Sequence, residues 1–270
     1  MVGKGRRMAL GFVVGALATA LLGSATARAD RLTLGSPSLG SLTPLDFGTL
    51  ACSSTDTCTA YQDPGSAGQR ARWTSPVNGL ITSWSMRVDD SANSDQTGAD
   101  ARFQLRVIRV DSDTAYFVAK RSAGSLTPRF FSPGIYTMPA AVPIAPGEQI
   151  TLGGVPNAEM PIFLAATSAP SVRITSSDNP GDGQVGVAFN TTNFGLLGIN
   201  ATVTYCRVPD VKGKKLKKAK KLVRAADCDP APKRKGEAKK RKKRKRIRRQ
   251  DPAPGSTALP GTDVKLVYKR

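Results

Sequence analysis

Residues 233–249 hold 13 lysines and arginines among 17 positions. No folded interior accepts such a run, because a charge taken out of water without a partner costs more than a small core returns. The run therefore lies on a surface, and whatever folds must fold on either side of it. The imbalance reaches further. From Arg207 onward there are 25 basic and 6 acidic residues, a difference of +19. Residues 30–206 carry 11 basic and 14 acidic residues, a difference of −3. The other 4 basic residues lie in the first 29 and complete the net +20. A near-neutral body is thus joined to a cationic end, an asymmetry that marks an interaction surface for polyanions.

The body reads as β. Leu80, Trp84, Met86 and Val88 fall on one face of a strand, and Phe103, Leu105 and Val107 do so in the next. Short apolar runs follow at 116–118, 150–152, 161–165, 172–174, 185–189 and 199–205, separated by Gly, Pro, Asn and Asp. Many short strands with no long helical period predict an antiparallel β-sandwich, jelly-roll-like, over residues 30–206. Segments 76–84 and 142–150 are similar to β-sandwich domains of secreted bacterial proteins, a likeness that carries no activity.

Residues 1–29 read as a signal peptide. Lys4, Arg6 and Arg7 precede an apolar run, and Ala27-Arg28-Ala29 has the small-residue spacing of a cleavage site before Asp30. Sec and twin-arginine routes both remain open. No cysteine sits at the cleavage site to take a lipid, and no later stretch is long and apolar enough to span a membrane. Export makes disulfides the default fate of the four cysteines. Cys52 and Cys58 close a short loop, which leaves Cys206 with Cys228. Four cysteines allow three connectivities, and the sequence alone leaves them open.

Histidine is absent. That removes Ser-His-Asp and Cys-His catalysis, imidazole metal sites and imidazole proton transfer. The cysteines lack the C-x₂₋₄-C spacing of a zinc site. The acid-rich stretches 89–100 and 178–183 have turn composition, and neither has EF-hand spacing. Asp89, Asp90, Asp111, Asp113, Glu148 and Glu159 are the acids available for glycosidase chemistry, but no motif pairs two of them. Trp73, Trp84, Phe130, Phe131 and Tyr136 are the aromatics that could stack on sugars. Trp84 shares its phase with core residues, so packing is its expected role.

The C-terminal end opens Cys206-Arg207-Val208-Pro209-Asp210-Val211-Lys212-Gly213. Leu216, Ala219, Leu222, Val223 and Ala226 then recur at helical spacing, with Lys214, Lys217, Lys218, Lys220 and Lys221 on the other side. After the basic run come Ile247-Arg248-Arg249-Gln250-Asp251-Pro252-Ala253-Pro254-Gly255, Leu259-Pro260-Gly261-Thr262 and the alternating Val264-Lys265-Leu266-Val267-Tyr268. From 208 to 270 this order resembles a PASTA domain, a small module found outside bacterial cells on penicillin-binding proteins and serine/threonine kinases. The resemblance implies a small α+β fold (βαββ) over residues 207–270 and contact with peptidoglycan. It also places Lys215 where such helices begin with Ser or Thr, so a capping oxygen is lost and a cation stands at the positive end of the helix dipole.

Together these readings describe an exported, non-catalytic cell-envelope protein of mainly β class. It needs no cofactor or metal, and it docks through its basic module on peptidoglycan or anionic wall polymer. The residues expected to carry binding are Lys214, Lys217, Lys218, Lys221, Lys239, Lys240, Arg241, Lys242, Lys243, Arg244, Lys245, Arg246, Arg248 and Arg249. The rival readings are a secreted carbohydrate-binding or carbohydrate-active protein and an extracellular binder of nucleic acid or other polyanions. The basic run has no interleaved aromatics, so bases would find no stacking platform on it.

Overall fold

The structure, a computed structural model, describes residues 29–44, 58–63, 71–88, 103–110, 116–126, 134–154, 162–164, 171–175, 184–187, 190–193, 195–231 and 246–268. The leader up to residue 28, the acid-rich stretches 89–100 and 178–183, Phe130, Phe131, Cys52 and residues 239–245 lie outside these.

The first strands are β1 (Asp30–Gly35), β2 (Thr43–Pro44), β3 (Cys58–Asp63), β4 (Gly79–Val88), β5 (Phe103–Val110) and β6 (Tyr116–Leu126). Next come β7 (Gly134–Ile144), β8 (Gln149–Gly154), β9 (Ile162–Leu164), β10 (Ser171–Thr175), β11 (Gln184–Val187) and β12 (Asn190–Asn193). β13 (Gly195–Leu197) and β14 (Ile199–Arg207) close the body. One sheet runs β1-β14-β4-β7, a second runs β11-β6-β5-β8-β3-β10-β12, and β13-β9-β2 form a third. Every pairing within the body is antiparallel. The chain is mainly β, as its patterning predicts.

The inward residues of the first two sheets make one core. Ile81, Trp84, Met86 and Val88 of β4 and Ile199, Ala201, Val203 and Tyr205 of β14 meet Phe103, Leu105 and Val107 of β5 and Ile150 and Leu152 of β8. This is the period-2 alternation of strands with one face on the core. It fails at one predicted residue. Leu80 is only half-buried and Ile81 takes the core place, because the register of β4 slips between Ile81 and Ser83 opposite β7. A bulge adds a residue and reverses the faces on one side of it. Gly35 ends β1 at φ +95°, where a Cβ would collide with the backbone of Ile199 and Asn200.

Several polar side chains are buried inside the body. Gln62 is buried; its side chain donates to the Gly195 carbonyl at 2.9 Å and accepts from the Leu197 amide at 3.1 Å. One amide thereby ties the second sheet to β13, since a buried amide must satisfy both of its ends.

The C-terminal module grows out of β14. Tyr205 belongs to the body core, while Cys206 and Val208 belong to a second core with Val211, Ala219, Val223, Cys228, Ile247 and Val264. Helix α1 (Leu216–Ala225) is followed by β15 (Asp229–Pro230), β16 (Ile247–Asp251), β17 (Thr257–Ala258) and β18 (Asp263–Tyr268). β18 is the middle strand, parallel to β15 and antiparallel to β16. β17 instead pairs with Cys206 and Arg207 at the end of β14. The backbone N–H of Asn78, in the body, donates to the Thr257 hydroxyl at 3.1 Å. A disulfide joins Cys206 to Cys228 with Cα atoms 5.4 Å apart, fixing the strand to the far end of α1. No flexible tether separates the two parts, because one strand serves both cores.

Candidate polyanion-binding surface of the C-terminal module

The apolar stripe of α1 faces the small sheet. Ala219 and Val223 are fully buried, with Leu216, Leu222 and Ala226 packed against the same core. A stripe this narrow leaves the rest of the helix to solvent. Lys217, Lys218 and Lys221 are exposed, and Lys214 and Lys220 are half-buried. Lysines three and four apart sit about 5–6 Å apart at their Cβ atoms, close enough to repel.

Lys215 is the N-cap residue. Its backbone is extended, at φ −64° and ψ 142°, and its side chain makes no capping hydrogen bond. The expected Ser or Thr oxygen is therefore missing, and the first turn holds no acidic residue. Both facts cost helix stability.

The sequence separates the helix from the basic run, but the fold brings them together. Gly213 N–H donates to the Ile247 carbonyl at 2.8 Å, and Ile247 N–H donates to the Lys214 carbonyl at 3.0 Å. The Arg246 Nη1 donates to the Gly213 carbonyl at 3.1 Å, and Lys215 and Arg246 form a bridge. The start of α1 and the start of β16 thus make one corner that sets Lys214 and Lys215 against Arg246 and Ile247, with Lys218 one turn along the helix and Arg248 and Arg249 next along the strand. Residues 239–245 lead into this corner, but they lie outside the described residues.

Among the described residues, the acids of the module stand elsewhere, and Glu237 lies outside those residues. Asp227 and Asp229 follow the C-terminal end of α1, and Asp229 is in register with Asp263 of β18. Ion pairs among the described residues join Arg207 to Asp30 at 3.4 Å, Lys265 to Asp251 at 3.9 Å and Arg109 to Glu148 at 3.9 Å. None of these uses a lysine of α1 or an arginine at the start of β16.

A cleft of about 610 Å³ lies where body and module meet, lined by Asp30, Arg207, Pro209, Asp210, Ala226 and Pro254 among others. Its charges already have partners. Asp30 faces Arg207, and Asp210 accepts from the Lys212 amide at 3.0 Å. A hydrogen bond to the Tyr205 side chain, followed by electrostatic contributions from Tyr205 and Asp30, raises that guanidinium above its usual range. Arg207 therefore stays a cation under all working conditions.

The body offers less chemistry than its composition allows. Trp73, expected as a candidate for sugar stacking, is 2% exposed and sits in the core with Trp84. Neither can present a face to a glycan. Glu148 is buried, accepts from the Ala145 amide at 2.8 Å and caps the turn between β7 and β8. The other candidate acids fall outside the described residues, among which no group of three potential ligands could hold a metal ion.

Comparison with known families bears on the module alone. Residues 207–270 match the family model of the PASTA domain. The match starts one residue after Cys206 and takes in the helix, the corner and the three-stranded sheet. PASTA domains are non-catalytic binding modules, and the match points to a role connected with peptidoglycan or the cell wall. No curated protein matches the chain. Among the described residues, no helix is long and apolar enough to cross a membrane.

Proposed function

We propose that this is an exported, non-catalytic envelope protein whose PASTA module docks it on peptidoglycan or anionic wall polymer. Removal of residues 1–29 would leave a body of residues 30–206 and a docking module of residues 207–270. The carrying observation is the coincidence of the PASTA match with the whole charge surplus of the chain. A helix with an uncapped, cationic start is held in a fold whose core is small. Evolution would discard that arrangement unless the cations met a partner, since dense like charge destabilises a compact state.

The mechanism is electrostatic attraction followed by positioning. Lysines and arginines of the module meet fixed anions and release the counterions held there, which makes binding steeply dependent on salt. The body, tied rigidly through β14, is then held at the wall surface.

The test compares the mature chain with one ending at Arg207 in which Cys206→Ala removes the orphaned thiol. Both are pulled down on purified wall, DNA and a neutral polysaccharide. The expected result is wall capture by the full chain and its loss on truncation. Capture unchanged by truncation would overturn the proposal in favour of a carbohydrate-binding body. Equal capture by DNA and wall would reduce it to general polyanion attraction.

A further inference from the structure

We infer that the corner joining the start of α1 to the start of β16 is the contact surface for the wall, and that its ligand is a phosphodiester-linked polymer. This deepens the docking reading and rests on it. Three independent observations lead to the corner.

The first is assembly. Lys214, Lys215 and Lys218 come from the helix, and Arg246 and Arg248 from a strand some 30 positions later. Backbone hydrogen bonds from Gly213 and Ile247, together with the Arg246 bond to Gly213, lock the two groups side by side. The backbone of the cluster keeps its shape when the ligand leaves, so only the side chains remain to be ordered on binding.

The second is separation of sign. Asp227, Asp229 and Asp263 gather at the other end of the helix, and Asp251 pairs with Lys265 at the far end of β16 from Arg246. Solubility alone would mix the signs across the surface. Segregation gives the module a lasting dipole that points the corner toward an anionic partner.

The third is cost. Lys215 occupies a cap position where a hydroxyl would stabilise the helix, and it makes no compensating side-chain cap bond. A side chain kept against the stability of its own helix marks a position under another demand.

The ligand follows from charge density. Five cations on one corner need several anions a few ångströms apart. A phosphodiester chain supplies one permanent charge per repeat, and the forked guanidinium groups of Arg246 and Arg248 match phosphate oxygens in pairs. Glycan carboxylates lose charge as the pH falls toward about 4, whereas a phosphodiester keeps its charge.

The experiment uses the mature full chain with poly(glycerol phosphate) and polygalacturonate as probes. A corner variant carries Lys214→Gln, Lys218→Gln and Arg248→Gln. A distal variant carries Lys220→Gln, Arg224→Gln and Lys265→Gln, so the net charge of the two is identical. The corner variant should bind poly(glycerol phosphate) about tenfold or more weakly, and the distal variant within about threefold of the parent. Lys215→Ser is the further control: it should weaken binding while raising the melting temperature, which rules out misfolding as the cause. Equal losses in the two triple variants would overturn the corner assignment. Polygalacturonate bound as tightly as poly(glycerol phosphate) would overturn the ligand class. Failure of the parent to bind either probe or intact wall would remove the docking reading itself.

Discussion

The body buries Trp84, Ile81, Met86, Leu105 and Leu152 between two sheets, whereas the PASTA module buries Val208, Val211, Ala219, Val223, Ile247, Val264 and a disulfide. The body is nearly neutral, and the module carries almost the whole surplus of charge. The body is therefore stable through apolar burial, which salt changes little. The module has a small core, a covalent link and unrelieved repulsion. On the proposed function, the part that folds easily is the platform, and the part that folds at a cost meets the partner. Because β14 feeds both cores, the dependence should run one way. Loss of the body should unfold the module, while loss of the module should spare most of the body.

Two signals separate the parts. Both tryptophans, Trp73 and Trp84, lie in the body, so their fluorescence reports its unfolding. Helix α1, the longest helix among the described residues, lies in the module, so helical circular dichroism reports mainly the other transition. The largest effect should come from Trp84→Ala, which empties the body core at a cost of about 4 kcal/mol. Both signals should then melt early, in urea or on heating. A helix signal that persists after the fluorescence transition would break the one-way dependence.

The next effect is that of Cys206→Ala with Cys228→Ala. Closing a loop of 22 residues restricts the unfolded chain by about 3 kcal/mol on the entropy model. The helix signal should melt well below its parent value, with the fluorescence transition close to unchanged. A parallel fall in both would mean that the module props up the body.

Lys215→Ser should act in the opposite direction. Restoring the capping oxygen should add about 1 kcal/mol to the module, seen as a higher helix melting temperature. The smallest effect is that of salt. Raising it shortens the Debye length to less than about 10 Å and relieves the lysine repulsion, so the helix transition should rise by a few degrees while the fluorescence transition stays put. A helix transition that falls with added salt would show that attraction outweighs repulsion in the module.

Much of this was legible in the sequence, for reasons visible in particular residues. The eight apolar runs of the body became β4, β5, β6, β8, β9, β10, β11 and β14, since alternation survives wherever one face is buried. The stripe of α1 also read directly from spacing, and its missing cap followed from the resemblance to a PASTA domain. Other features did not. β7 carries Tyr136, Met138, Ala140, Val142 and Ile144 toward the core, but Pro139 and Pro143 disguise it, and prolines sit in sheets mainly at edges, where β7 lies. Leu80 shares a face with Trp84 in the sequence pattern, because a bulge leaves no mark in composition. Trp73 looked available because exposure depends on how distant strands pack. The basic corner could not be foreseen either, since it depends on the register that sets Lys214 and Lys215 against Arg246 and Ile247. Two basic segments in sequence became one surface only through those hydrogen bonds.

The account rests on one claim, that charge on the module carries binding to the wall. Its most direct test is the affinity of the mature chain for purified wall over a series of salt concentrations. The account requires the logarithm of affinity to fall linearly with the logarithm of salt, and the slope to become shallower in the corner variant. A salt-independent affinity, or a slope unchanged by removal of the corner cations, would contradict it.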